Sequence, residues 1–197
     1  MANETEQLAK YASAVRFQDL PQPVIQRAKD CIADTVAAIA YGAHLPWSRI
    51  IVDYSRRMGP GGKSVILGPA GARVRAPNAA FANGSLSHAF EMDNLTWPNS
   101  GVHPGATMFT AALAVGQERS LSGRDLLASF VAGAEVMIRI GRATKHNNEH
   151  HGFHAPGTTG PFGAAVSVGR MLKFDAAKID RKSTCLNSSH RCISYAV

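Results

Sequence analysis

The chain has 197 residues, of which 45% are hydrophobic, which is enough for one sizeable folded domain or for part of a larger one and argues against disorder of the whole. Its formal net charge of +7 raises the question of a nucleic-acid partner, but the basic residues are scattered along the sequence, which argues against a nucleic-acid-binding surface. The longest apolar runs are interrupted by charged residues or glycine and fall short of the roughly 20 residues of a membrane span.

The N-terminal segment and the cysteines indicate the compartment. Residues 1–7 contain neither the basic region nor the apolar region of a secretory signal. Three cysteines are too few for a disulfide framework, which is typical of a reducing environment. We therefore expect a cytoplasmic protein that binds neither membrane nor nucleic acid.

Apolar residues at spacings of three and four predict a mainly α-helical protein. The predicted helices, in chain order, cover residues 4–17, 23–41, 47–58, 76–90, 105–117, 123–144 and 161–172, and one more begins near residue 175. A Gly-Pro-Ala-Gly turn between two short apolar runs predicts a β-hairpin over residues 64–75. No βαβ rhythm occurs, so we expect at most this hairpin in an otherwise helical fold.

Two local patterns predict details of these helices. Ser122, followed three residues later by Asp125, predicts a capping box at the start of the helix over 123–144. The helix over 76–90 is rich in alanine and contains Gly84, which predicts the close approach of a neighbouring helix.

Residues 180–197 differ from the rest of the chain, because they are polar, contain four serines and show no helical or strand period. They resemble translated sequencing-adapter read-through. We therefore predict one domain over residues 1–179 followed by an unrelated, artefactual tail. A natural polar tail and a two-cysteine metal or redox site are the alternatives, although Cys185 and Cys192 do not have zinc-finger spacing.

Candidate chemistry concentrates first in residues 87–109. Glu91 and Asp93 lie near the end of a predicted helix, where the helix dipole opposes carboxylate ionisation and favours a proton carrier. His103 directly precedes a predicted helix, whose positive end attracts anionic substrates. His88 either shares a helix face with Glu91 or is a packed core histidine.

A second segment, residues 147–163, has a similar pattern. His154 precedes the glycine-rich run Ala-Pro-Gly-Thr-Thr-Gly, whose backbone amides, with the hydroxyls of Thr158 and Thr159, are suited to hold a substrate carboxylate. A metal site is the competing interpretation, because the segment from His146 to His154 contains four histidines at spacings of three and four. Because this run is predicted to form a loop, we predict no metal site there.

Other cofactors are not expected either. The sequence contains no phosphate-binding loop, dinucleotide fingerprint or nucleophile elbow, which excludes the common nucleotide-binding sites and serine hydrolases.

Both segments resemble the MmgE/PrpD family, through His88-Ala-Phe-Glu-Met-Asp-Asn94 with His103-Pro104 and through the run from Gly152 to Ala165. The resemblance implies an all-α domain accompanied by a smaller lid domain, usually as a homodimer. It implies catalytic roles for Glu91, Asp93, His103 and His154, and substrate binding by Asn94 and Thr96. The sequence departs from the family pattern at Asn94, where a second aspartate is common, and at Leu95, which shifts Thr96 by one position.

The implied activity is that of a metal-independent lyase acting on a di- or tricarboxylate. The leading prediction is dehydration of the 2-methylcitrate type, in which a proton is removed next to a carboxylate. A decarboxylase of the cis-aconitate type and an isomerase are alternatives within the family, and a helical interaction module without catalysis is the alternative from another class. Family members are more than twice as long, so we expect an N-terminal fragment that is inactive alone.

Overall fold

The computed structural model describes residues 4–68, 71–97, 100–145 and 147–181. In these ranges the fold is mainly α-helical, which confirms the predicted class. The α-helices are α1 (Glu4–Ala14), α2 (Gln22–Gly42), α3 (Ser48–Met58), α4 (Ala76–Ser87), α5 (Thr110–Arg119), α6 (Gly123–Thr144), α7 (Asn147–His150) and α8 (Ala155–Met171). A 3₁₀ turn over Phe17–Asp19 follows α1, a π-helix over Gly105–Phe109 leads into α5, and residues 176–181 are helical.

The predicted tail lies outside the described residues, except for its first two positions. The proposed boundary at residue 179 therefore stays a prediction, as does each interpretation of Cys185 and Cys192. None of the helices within the described ranges combines the length and apolar composition that crossing a bilayer requires.

The predicted hairpin is confirmed, in a shorter form. Strands β1 (Ser64–Val65) and β2 (Arg73–Val74) pair antiparallel. The fully buried side chain of Asn83 attaches the hairpin to α4, because its Oδ1 accepts from the Leu67 amide at 2.8 Å and its Nδ2 donates to the Val65 carbonyl at 2.9 Å. These two hydrogen bonds offset the cost of burying the amide.

The core lies between α4, α5, α6 and α8, and small residues set its closest contacts. A Cβ atom at Gly133 of α6 would lie 2.0 Å from Ser167 Oγ of α8, and one at Gly163 of α8 would lie 2.9 Å from the Gly133 carbonyl oxygen of α6. Glycine is therefore needed at both positions for α6 and α8 to pack at this distance. Gly84 of α4 similarly lies against the Ala106 carbonyl, which confirms the predicted close helix approach.

Two polar interactions fix the ends of these helices. The capping box predicted for α6 is present, since the Ser122 hydroxyl accepts from the Asp125 amide and the Asp125 carboxylate accepts from the Ser122 amide. Near the end of α8, the Arg170 guanidinium donates to the carbonyls of Ser13 and Val15 and so connects α8 to the end of α1. Burial lowers the pKa of Arg170, with nearby Asp125 opposing the shift.

The predicted start of the helix over 161–172 was wrong. Helix α8 begins at Ala155, so the glycine-rich run expected to form a loop is its first turns. Pro156 suits this position because the first helical residues need no amide donor, and Pro161 is accommodated inside the helix. A Cβ atom added at Gly160 would lie 3.1 Å from Thr107 Cγ2 of the π-helix. The start of α8 therefore lies beside the segment that follows His103.

Candidate active site

A buried carboxylate with two histidine neighbours is the centre of the candidate site. The Asp93 side chain is 0% exposed, and its Oδ1 lies 2.8 Å from Nδ1 of His88 in a hydrogen bond. Its Oδ2 lies 3.2 Å from Nδ1 of His103. This second contact is within ion-pair distance but lacks hydrogen-bond geometry, and neither atom has another hydrogen-bond partner among the described residues.

The pKa of Asp93 shifts in the opposite direction to the one expected at a helix end. Burial raises the pKa of Asp93, but the contacts with His103 and His88 and their charges outweigh it and hold the pKa well below its usual range. The hydrogen bond to Asp93 raises the pKa of His88, against burial, with further help from the charges of Asp93 and Glu91. This direction is opposite to the expectation that a carboxylate at a helix end resists ionisation.

A third histidine completes the cluster. The His88 ring meets the His103 ring edge-on, with centroids 4.8 Å apart, and lies 5.8 Å from the His154 ring. His103 directly precedes the N-cap of the π-helix, and His154 is itself the N-cap of α8. The two segments singled out in the sequence therefore meet in space, at the positive ends of two helical segments, where anions are favoured.

Glu91 shapes the loop that returns Asp93 to His88. Its backbone is left-handed, with φ of 56°, a conformation that costs a residue other than glycine about 1 kcal/mol or more. The reversal allows Asp93 to contact a histidine only five residues earlier. The Glu91 side chain is 73% exposed, and its Oε1 lies 3.4 Å from His88 Nε2.

Asn94 connects the same loop to α2 and to the π-helix. Its Nδ2 lies within donor distance of Asp34 Oδ2 (2.9 Å), Thr35 Oγ1 (2.9 Å) and the Cys31 carbonyl (3.1 Å). Its Oδ1 accepts from the Gly105 amide at 3.0 Å. The Asn94 side chain thus anchors the loop directly after Asp93 to α2, and it also holds the helical segment that follows His103.

The space for this arrangement depends on Gly105. A Cβ at this position would lie 2.0 Å from Thr35 Oγ1 and 2.5 Å from Asn94 Nδ2. Any larger residue would therefore displace the Asn94 contacts. Gly105 also begins the π-helix, a rare form of helix that is frequent at functional sites.

Comparison with known proteins identifies the family of this chain. The profile of the MmgE/PrpD N-terminal domain matches residues 6–182. The chain belongs to the MmgE/PrpD family. It is 31% identical over 191 residues to human cis-aconitate decarboxylase, covering 94% of this chain and 39% of that protein.

Two fungal relatives show the same coverage. Cis-aconitate decarboxylase of Aspergillus terreus is 27% identical over 174 residues, which are 85% of this chain and 35% of the relative. The cis-aconitate decarboxylase-like protein oryM of Aspergillus oryzae is 29% identical over 182 residues, which are 86% and 36%. The MmgE/PrpD chain thus spans less than two fifths of the length of these relatives.

The threonines predicted to bind substrate have protein partners in this structure. Thr158 and Thr159 both donate to the Ala155 carbonyl, at 3.0 and 2.7 Å, and Thr158 also accepts from Asn148. Because a hydroxyl has one hydrogen to donate, these bonds occupy it in both residues. The Thr96 backbone forms a β-bridge with Val102, which closes the loop before His103. Substrate binding by these threonines stays a prediction, as does that by Asn94.

In the described part of this MmgE/PrpD chain, the residues whose spacing could hold a metal ion are not those of the histidine run from His146 to His154, which was the competing interpretation. The residues with this spacing are His88, Asp93 and His103, whose ligand atoms lie within 4.8 Å of one another. His146 lies outside the described residues, and His150 and His151 belong to α7 and the turn after it. The contacts within the His88 group are accounted for by the pairing of one carboxylate with two imidazoles.

Sequence reasoning left the role of His88 open and missed Asp34, Thr35 and Gly105 as neighbours of the site. Asp34 and Thr35 were detectable as polar residues that interrupt the apolar run of α2. Their partner Asn94 is about 60 positions later in the chain, and no local pattern indicates such a contact.

Proposed function

We propose that this chain forms part of the active site of a metal-independent carboxylate lyase that decarboxylates cis-aconitate or a similar unsaturated tricarboxylate. The observation that carries the proposal is the pairing of two histidines with one buried carboxylate, with the ring of a third histidine 5.8 Å from the His88 ring, beside the positive ends of two helical segments. The names of the relatives support the choice of decarboxylation within the family.

The proposed reaction needs one proton and binding sites for the remaining carboxylates. The bond between a carbon and the departing carboxylate breaks, and CO₂ leaves. The electron pair of that bond shifts through the adjacent double bond, and the carbon at its far end takes up a proton. A histidine held by a carboxylate is suited to deliver that proton.

The positions of the histidines favour a division of these roles. His103 has its Nδ1 directed at Asp93, which leaves Nε2 available for the substrate, and we assign it the proton transfer. His154 is exposed at the start of α8, where the helix dipole favours an anion, and we assign it the binding of a substrate carboxylate.

Dehydration of a 2-methylcitrate-type substrate is the second candidate. The observation that favours it is the exposed Glu91 carboxylate, 3.4 Å from His88 Nε2. Elimination of water requires a base for the proton next to the carboxylate as well as an acid for the departing hydroxyl, and Glu91 and the histidines would supply both. Homodimer formation also remains a proposal, based on the family resemblance.

The test uses the longest natural protein that contains these residues, since the chain spans 39% of the human relative. Purified protein receives cis-aconitate or 2-methylcitrate, and ¹³C NMR follows CO₂ release, dehydration and isomerisation separately. We expect cis-aconitate decarboxylation, and a loss of about 100-fold or more in kcat for His103→Ala. The matched control is His44→Ala, an exposed histidine outside the site, which should stay within about twofold.

Three results would contradict parts of this proposal. Conversion of 2-methylcitrate alone would replace decarboxylation by dehydration. Full activity of His103→Ala would remove His103 from the reaction. No conversion of either substrate by folded wild-type protein would leave the non-catalytic helical module as the better interpretation.

A further inference from the structure

We propose that His88 is a positioning residue of this site, which holds Asp93 so that Asp93 orients His103. The proposal rests on the function proposed above. It concerns a residue for which the sequence left two interpretations open, a partner of Glu91 on one helix face or a packed core histidine. It assigns His88 no contact with the substrate.

The first argument is the geometry of the shared carboxylate. A carboxylate is planar, so a hydrogen bond that fixes one oxygen also fixes the direction of the other. His88 Nδ1 holds Asp93 Oδ1 at 2.8 Å, and the opposite oxygen, Oδ2, faces His103 Nδ1 at 3.2 Å. Without the His88 contact, the carboxylate could rotate about its Cβ–Cγ bond and leave His103.

The second argument is the lack of any substitute for His88. The Asp93 side chain is 0% exposed, and its Oδ2 has no hydrogen-bond partner in the described ranges. Among the described residues, His88 therefore supplies the hydrogen bond that holds this carboxylate. An ionised carboxylate in such a place needs charged or polar donors to stay buried. The raised pKa of His88, caused chiefly by this hydrogen bond, agrees with a donor that carries positive charge.

The third argument is the place of His88 between the other two rings. It lies edge-on to His103 at 4.8 Å and tilted to His154 at 5.8 Å, and it follows the last residue of α4, a helix anchored in the core. A rigid element therefore delivers His88, whereas Asp93 lies on a loop. This arrangement makes His88 the fixed point from which the loop carboxylate is held.

Two substitutions distinguish positioning from packing. The side-chain amide nitrogen of asparagine lies close to where histidine has Nδ1, whereas that of glutamine reaches the position of Nε2. His88→Asn can therefore keep the bond to Asp93, and His88→Gln can keep only the contact with Glu91. Both remove the ring, so a role in ring packing alone predicts equal losses.

The experiment measures kcat and KM of the longest natural protein, as wild type, His88→Asn, His88→Gln and the exposed control His44→Asn. We expect His88→Gln to lower kcat about 10- to 100-fold, as for loss of a hydrogen bond to a charged group, with KM changed less than about threefold. The kcat of His88→Asn should exceed that of His88→Gln by at least about tenfold. Equal kcat values for the two variants, or a loss that appears only in KM, would overturn the proposal.

A measurement on the wild type keeps the proposal testable if the variants do not fold. In ¹⁵N-histidine NMR, His88 Nδ1 should be protonated at about pH 6 and coupled across a hydrogen bond to a carboxylate. An unprotonated Nδ1 would overturn the role of His88 whatever the activity. Absence of turnover in the wild type would instead count against the proposed function, and the NMR result would still decide the geometry.

Discussion

Asn94 offers the sharpest test of how the site is held together, because its amide faces a carboxylate. Asn94 Nδ2 donates to Asp34 Oδ2 at 2.9 Å. Asn94→Asp would keep the acceptor for the Gly105 amide but place a second carboxylate oxygen beside Asp34. We therefore expect this apparently conservative change to destabilise the protein.

The magnitude follows from the distance. Two unit charges at 2.9 Å repel by about 1.4 kcal/mol in bulk water and about 5.7 kcal/mol at an effective dielectric constant of 20. Because Asp34 is exposed, the lower part of this range applies, and the lost hydrogen bond adds about 1 kcal/mol. We expect Asn94→Asp to lower the free energy of unfolding by about 2 to 3 kcal/mol, or Tm by roughly 5–10 °C.

Urea unfolding near pH 7 of four proteins tests this value: wild type, Asn94→Asp, Asp34→Asn and the double variant. The double variant exchanges donor and acceptor, so it should recover at least half of the loss caused by Asn94→Asp. A double variant no more stable than Asn94→Asp would refute the assignment of the repulsion to Asp34.

Two further predictions concern stability. Because the pKa of Asp93 is lowered, Asp93 contributes to the free energy of unfolding above about pH 4, and this contribution is lost as the pH falls. Because the pKa of His88 is raised, His88 contributes below about pH 6.5, and this contribution is lost as the pH rises through the raised pKa. His88→Asn should thus cost more stability near pH 5.5 than at pH 9 in urea unfolding, and a constant difference would argue against the ion pair. Arg170→Met, which removes the donors to the end of α1, should cost about 2 to 4 kcal/mol. A loss below about 1 kcal/mol would show that this connection contributes little.

The helices were predictable because each buries a broad apolar face, and that face leaves a period of 3.6 residues in the sequence. The prediction failed at the start of α8, where a run with two glycines and a proline was interpreted as a loop. Those residues are helical because tertiary packing overrides their low propensity: Gly160 and Gly163 let α8 approach the π-helix and α6 closely.

The site was only partly predictable, for a different physical reason. Residue types and family resemblance indicated Asp93, His103 and His154, but the π-helix after His103 and the left-handed backbone at Glu91 leave no pattern in the sequence. Glutamate at a positive φ is unfavourable locally and persists because the surrounding contacts determine it. The pairing of His88 with Asp93 depends on that reversal, so no helical spacing rule could reveal it.

The contacts with His88 and His103 pair the buried Asp93 carboxylate, which determines how its proposed role should be tested. Removing one partner of a buried charge pair costs about 3 to 5 kcal/mol, so truncating His88 to alanine would confound lost activity with lost stability. Asp93→Asn instead removes the charge together with the need to compensate it, and it preserves the shape of the side chain. If that variant folds as well as the wild type but loses turnover, then the negative charge on Asp93 serves the reaction and is not required for the fold.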